Sequence, residues 1–194
     1  MTAAPRPAEN VRVHTRIIKL PLGIEESRAY WTHVDPATPP ARRAVVAFEQ
    51  RWFGVKSLDR IRDLLAGFVE RYDAYPAALD VLRRWGDMAA NTRQAICHWH
   101  LQLSDPLYRR FTGEMIPSRR GGARTGLERD VVVRWIEREF PDRWQPRTVA
   151  QIATKLRSVC TEAGLLHGRR EPRTLVKPTI TDEALVYLLQ LLRG

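Results

Sequence analysis

The 194-residue chain carries 32 Lys and Arg against 22 Asp and Glu, a formal net charge of +10, and 44% of its residues are apolar, which is enough for a proper core in one domain or two small ones. That charge points to an anionic partner, nucleic acid before an anionic membrane surface. No apolar run approaches the roughly 20 residues of a spanning helix and no charged-then-apolar secretory signal opens the chain. The two cysteines, Cys97 and Cys160, make no disulfide framework, so a cytoplasmic protein with buried free thiols is expected.

Residues 1–10 lack periodicity and read as a tail. Val11–Leu20 alternates in part and reads as a strand or an extended arm before Pro21. A short helix follows over Ile24–Val34, broken by Asp35-Pro36-Ala37-Thr38-Pro39-Pro40. The next spans Ala41–Phe53, with Val45, Phe48 and Trp52 expected inside and Gly54 as its stop. Ser57 caps a third, whose positions Leu58, Ile61, Leu64, Leu65 and Phe68 fall on one helical stripe. Pro76 suits the first turn of a fourth, carrying Leu79, Leu82 and Trp85. Asn91–Leu103 reads as a helix with Ala95, Ile96, Trp99 and Leu103 inward. After Ser104 or Asp105, Pro106 opens another with Leu107, Tyr108, Phe111 and Met115 on its apolar side. These pieces predict a helical bundle domain over 1–116, with its aromatics in the core.

Residues 117–126, PSRRGGARTG, hold three glycines and three arginines, the composition of a flexible basic linker. Beyond it a second domain over 127–194 is expected. Its first helix, Leu127–Phe140, offers Val131, Val132, Trp135, Ile136 and Phe140 to a core and ends at Pro141. A second helix is read as starting at an N-cap Thr148, with Pro146 discouraging an earlier start. Val149, Ile152, Leu156, Val159 and Ala163 form its buried stripe, and Arg147, Gln151, Thr154, Lys155 and Ser158 its wet face. Gly164 stops it. Leu165-Leu166 then enters a strand, His167–Arg173 is turn-rich, and Thr174–Lys177 is the return strand. A last helix from Thr181, with Ala184, Leu185, Leu188, Leu189 and Leu192 as its apolar face, is expected to close this second core.

The order helix, Gly stop, basic hairpin predicts a winged helix-turn-helix-like arrangement. Charge agrees: from Arg143 to Lys177 eight basic residues face two acidic ones, a concentration suited to neutralising phosphates and releasing counterions. The candidate DNA-binding residues are therefore Arg147, Thr148, Gln151, Lys155 and Ser158 on the helix, Arg169, Arg170, Arg173 and Lys177 on the wing, and Arg119, Arg120 and Arg124 in the linker. An ordinary solvated basic face is the simpler alternative.

No catalytic constellation competes with this reading. There is no phosphate-binding glycine loop, dinucleotide fingerprint, zinc-protease helix or nucleophile elbow. Cys97, His98 and His100 lack a second ligand pair at zinc spacing, and the two histidines read as structural. A non-enzyme is expected, with no cofactor, metal or small-molecule substrate.

Four blocks, EESRAYW at Glu25–Trp31, FGVKSLDRIRDLLAGFVERY at Phe53–Tyr72, CHWHLQLSDPLYRRF at Cys97–Phe111 and WQPRTVAQIATKLRSVCTEAGLL at Trp144–Leu166, resemble the BrxA family of BREX phage-defence systems in order and spacing. The resemblance implies a mainly helical, cytoplasmic, two-domain protein that binds double-stranded DNA and works beside other BREX defence proteins. Two alternatives stay open: an adaptor whose basic surface meets an acidic protein, and an RNA-binding helical protein.

Overall fold

The computed structural model describes residues 9–120 and 126–193. They form a mainly helical protein with a small three-stranded antiparallel sheet toward its C-terminal end. In chain order the elements are α1 Ile24–His33, α2 Pro40–Glu49, α3 Leu58–Phe68, α4 Pro76–Arg84, α5 Ala90–Ser104, α6 Pro106–Arg110, α7 Ile116–Arg120, β1 Gly126–Leu127, α8 Arg129–Glu139, α9 Pro146–Glu162, β2 Leu166–His167, β3 Arg173–Leu175 and α10 Asp182–Arg193. Among the described residues no helix is long and apolar enough to cross a membrane. Residues 1–8 of the expected tail, and residues 121–125 of the expected linker with Arg124, lie outside the described residues.

The chain divides into two compact units, and neither is a continuous stretch. The first contains Gly23–Ser104 and the segment from Ile180 onward; the second contains Val11–Leu22 and Asp105–Thr179. This corrects the expected cut at 117–126. Pro117–Arg120 belongs to helix α7, with Ile116 buried and the Ser118 hydroxyl donating to the Met115 carbonyl. The terminal helix corrects the domain assignment too, because it packs on α5 and α4 of the first unit rather than closing the second core.

In the first unit three of the sequence signals at helix ends hold, whereas α2 ends at Glu49 rather than running to Phe53 and stopping at Gly54. The Ser57 hydroxyl accepts from the Arg60 amide, Pro76 occupies the first turn of α4, and Thr181 accepts from the Ala184 amide. Ile61, Leu64, Leu65 and Phe68 of α3 bury together with Tyr30, Trp31 and Tyr72. Three faces are turned relative to expectation, those of α2, α5 and α10. In α2 the buried residues are Arg43, Ala44 and Ala47, while Val45 and Phe48 are each 46% exposed. The cause is polar: the Arg43 guanidinium pairs with Asp73, donates to the Tyr30 hydroxyl at 2.9 Å and to the Thr38 carbonyl at 2.8 Å, and so draws its own side of the helix inward. In α5 the inward residues are Ile96, Cys97, His100 and Leu101, and Ala95, Trp99 and Leu103 are half-buried. His100 is fixed there by the Tyr187 hydroxyl at 2.6 Å and the Arg71 carbonyl at 2.8 Å. On α10 this leaves Ala184, Tyr187 and Leu191 buried and Leu185, Val186, Leu189 and Leu192 exposed.

The second unit is built around α9. Val132, Trp135 and Ile136 of α8, Leu107, Tyr108 and Phe111 of α6 and the turn after it, and Leu127 of β1 are buried, as is the apolar side of α9 with Cys160; α8 packs along α9, and the Phe111 ring stands edge-on to Trp135. Both cysteines are free and buried. Val11–Leu22 is an extended arm with one 3-10 turn at Arg16–Ile18, and that turn lies against α9. The sheet order is β1-β3-β2, with Gly126 opposite Thr174, Leu127 opposite Arg173, Leu166 opposite Leu175 and His167 opposite Thr174.

Candidate nucleic-acid interface

Helix α9 starts earlier than its sequence suggests. Gln145 is the N-cap and Pro146 the first helical residue, so Thr148 lies inside the first turn, its amide donating to the Gln145 carbonyl at 2.8 Å. A proline at this position loses nothing, since its missing N–H would be unpaired anyway and its fixed φ is already helical; it begins the helix instead of delaying it. At the other end Gly164 takes φ +70°, its amide bonds to the Thr161 carbonyl at 3.1 Å and the Leu165 amide to the Cys160 carbonyl at 2.8 Å. These are the paired bonds of a Schellman stop. They turn the chain into β2 at a fixed angle.

The buried side of α9 is Val149, Ile152, Ala153, Leu156, Arg157, Val159 and Cys160. On the opposite side Arg147, Gln151 and Thr154 are exposed, and Thr148, Lys155 and Ser158 are half-buried. Arg147, Gln151, Thr154 and Lys155 line an open groove of about 410 Å³, joined there by Arg129 from the start of α8 and Ile18 from the arm. Three cations and one amide thus share a groove along a single helix. The Thr154 hydroxyl donates to the Ala150 carbonyl at 2.9 Å, so toward a ligand it can only accept. Arg129 and the arm were absent from the expected site; a sequence signal existed in the spacing of Arg12, Arg16 and Lys19 through the arm, but nothing local showed that the arm would reach α9.

The hairpin is shorter than expected, with β3 at Arg173–Leu175 in place of a strand over Thr174–Lys177, although the Val176 amide still bonds to the Leu165 carbonyl at 3.0 Å. Its loop begins at Gly168, φ +102°, and exposes Arg169 and Arg170; Lys177 is exposed beyond the strand. At the far side of the loop, a Cβ built on Gly126 would stand 2.8 Å from Pro172 Cβ. Only a glycine lets β1 close on the loop.

Two expected basic contacts, Arg173 and Arg120, and one further basic residue of the stretch, Arg157, are otherwise engaged. The Arg173 guanidinium is half-buried and donates from Nη1 to the Thr161 hydroxyl at 2.9 Å; burial, then the neighbouring Arg157, lowers its pKa. Arg157, counted in the charge of this stretch, is 4% exposed and pairs with Glu171 at 2.5 Å. Arg120 is half-buried and donates to the Val176 carbonyl at 2.5 Å, tying α7 to the end of β3. Strand alternation explains Arg173: Arg173 and Leu175 share the inward side of β3, and Thr174 alone points out. Arg119 is half-buried at the end of α7.

Among the described residues, no group of three His, Cys, Asp or Glu side chains is placed to hold a metal. His100 is wholly buried, and desolvation lowers its pKa to about 3. Its partners are a hydroxyl and a backbone carbonyl, so it is a neutral structural histidine.

No protein-family model matches the chain, and no curated protein sequence matches it. A crystal structure of an uncharacterized protein from Magnetospirillum magneticum is similar in fold, with a TM-score of 0.69 and 19% sequence identity over 92% of this chain and 93% of that one.

Proposed function

We propose that this chain is a non-enzymatic double-stranded DNA binder of winged helix-turn-helix type. In this reading α9 lies in or across the major groove, Arg129, Arg147 and Lys155 meet phosphates beside it, and Arg169, Arg170 and Lys177 reach the backbone from the wing. The observation that carries it is the groove in which Arg129, Arg147, Gln151 and Lys155 come together on the outward side of α9. The order β1, α8, α9, hairpin, with β3 between β1 and β2, supports it as the arrangement a winged module uses. Gln151 is the residue of the groove suited to reading an adenine edge, and the rest suit phosphate, so weak or shape-based sequence preference is expected. The resemblance of the four sequence blocks extends the proposal to a role beside other proteins of a BREX-type phage-defence system.

Anisotropy titrations with duplex DNA, single-stranded DNA and RNA across a salt series test the reading. Duplex binding that weakens with salt and falls on Arg147→Ala with Lys155→Ala is expected. Preference for RNA, or indifference to that double substitution, would overturn it. A second reading, a protein-interaction adaptor, is favoured by one observation, the exposed Leu185, Val186, Leu189 and Leu192 along α10. Absence of duplex binding near physiological salt together with retained capture of a defence protein would select it.

A further inference from the structure

Helix α10 lies on the first unit with one face fixed and the other bare. The Tyr187 hydroxyl stands 2.6 Å from His100 Nε2, and at the start of the helix the Thr181 hydroxyl stands 2.8 Å from that of Thr92. These bonds, with the burial of Ala184 and Leu191, set the rotation of the helix. Leu185, Val186, Leu189 and Leu192, which are 44% to 56% exposed, therefore cannot turn inward without breaking them. At about 100° per residue the four fall within one third of the helix circumference. Large aliphatic side chains gathered on one bare face mark an interaction surface.

Charge says what covers it. Asp182 and Arg193 are exposed at opposite ends of the stripe, Asp182 with Glu183 in the first turn and Arg193 in the last. The row Asp182, Val186, Leu189, Arg193 advances by four, three and four residues and so stays on one side of the helix. Turned end for end, this row is its own complement: acid faces base at both ends, and Val186 faces Leu189 between them. An isologous two-fold contact requires such a surface, and the antiparallel setting also opposes the two helix dipoles favourably. An anionic membrane surface fits less well, because it calls for Lys and Arg beside the apolar stripe and α10 offers Arg193 against two acids. We propose that α10 is a self-association surface, pairing antiparallel with α10 of a second copy of this chain. Leu185 then adjoins the second copy's Leu192 on the flank of the row. This pairing is independent of DNA binding, because α10 belongs to the first unit and α9 to the second. It also takes from the adaptor reading the stripe that favoured it.

Two helices each about 18 Å long bury less than the roughly 1,200 Å² of a stable interface, so the dimer is a transient one, half-formed at about 10–100 μM. Sedimentation velocity of the full chain at concentrations on either side of that range tests it. A monomer passing into a dimer, with no larger species, is expected. Leu189→Glu should weaken the dimer by about a hundredfold, while its circular dichroism and thermal midpoint in dilute solution match the parent's, since Leu189 is outside the core. Asp182→Arg sets cation against cation at both ends and should weaken the dimer by about tenfold, and adding Arg193→Asp should restore it. Arg147→Ala with Lys155→Ala should leave association unchanged. A chain that stays monomeric throughout, or a dimer indifferent to Leu189→Glu, would overturn the proposal. A double reversal that fails to restore the dimer would overturn the antiparallel setting. Should the monomer sediment with phosphatidylglycerol vesicles, the stripe belongs to a lipid surface instead; should it not, the stripe is left to a different protein.

Discussion

Removing both exposed wing arginines, Arg169→Ala with Arg170→Ala, gives the sharpest test of how the second unit would meet DNA. Both side chains are exposed in the loop between β2 and β3, and no acidic side chain pairs with them among the described residues. If each neutralises one phosphate, each loss lowers the slope of log K against log salt by about 0.9, so the pair lowers it by about 1.8. Between about 50 and 200 mM salt, a fourfold change, the parent should lose about twelvefold more affinity than the variant. Arg173→Ala is the control. Its guanidinium is held by the Thr161 hydroxyl at 2.9 Å, so its removal should leave the salt slope where it was. The lost hydrogen bond costs about 1 kcal/mol, offset in part by relief of repulsion with Arg157. Fluorescence anisotropy on one duplex at five or six salt concentrations measures all three proteins. A slope unchanged in the double variant would remove the wing from the interface, and a slope lowered by Arg173→Ala would show that this side chain swings outward on binding.

Glu171→Ala leaves the Arg157 cation, 4% exposed, without its carboxylate; it should destabilise the protein by about 2 kcal/mol, a figure discounted because Glu171 is half exposed. Urea denaturation checks this, and Arg157→Met in the same background should recover part of the loss. Gly126→Ala places a methyl 2.8 Å from Pro172 Cβ and should cost about 1–3 kcal/mol, read as a fall in the thermal midpoint; an unchanged midpoint would mean that the loop yields without strain. For His100 the sign follows from burial: its folded pKa, about 3, is below the ordinary 6.5, so the unfolded chain binds the proton more readily. Its contribution is full above pH 6.5 and is lost as pH falls toward 3, by at most about 1.4 kcal/mol per pH unit. Urea midpoints from neutral pH to about pH 5 should therefore fall more steeply in the parent than in His100→Gln. Equal steepness would assign the acid sensitivity elsewhere.

Local signals in the sequence located most helices. Serine at 57, threonine at 181 and glycine at 164 each act on the backbone of their own turn, so their effect depends little on the rest of the fold. The stripe of α3 is legible for a similar reason, since its apolar and charged positions alternate cleanly at helical period. The faces of α2, α5 and α10 were not legible, and in each the deciding contact is polar and distant. Arg43 meets Asp73, 30 residues on, and His100 meets Tyr187, 87 residues on. A buried arginine or histidine looks like a surface residue to any count of hydropathy, and it reverses the side of the helix that enters the core.

The candidate site divides along the same line. Arg147, Gln151 and Lys155 could be placed on one face because successive four-residue steps keep helical side chains together. Arg129 and Ile18 reach that face only through tertiary packing of α8 and the arm. The wing arginines show why the basic count overstated the surface. Arg169, Arg170 and Arg173 look equivalent in sequence, but the first two sit in the loop and the third in a strand, where one residue of shift reverses the side that a side chain faces. Since Leu127 lies opposite Arg173 and Leu166 opposite Leu175, the apolar partners fix the register and the guanidinium follows them inward. Arg157 is removed from the surface by a different constraint, since it falls on the buried face of α9 and takes Glu171 as its counter-ion. Of the eight basic residues between Arg143 and Lys177, the fold thus spends three on its own cohesion, since Arg143 also donates to the Val13 carbonyl at 3.0 Å. A binding surface on this unit must be built from the cations that packing leaves outside, with Arg129 added from a helix whose charge the local stretch does not include.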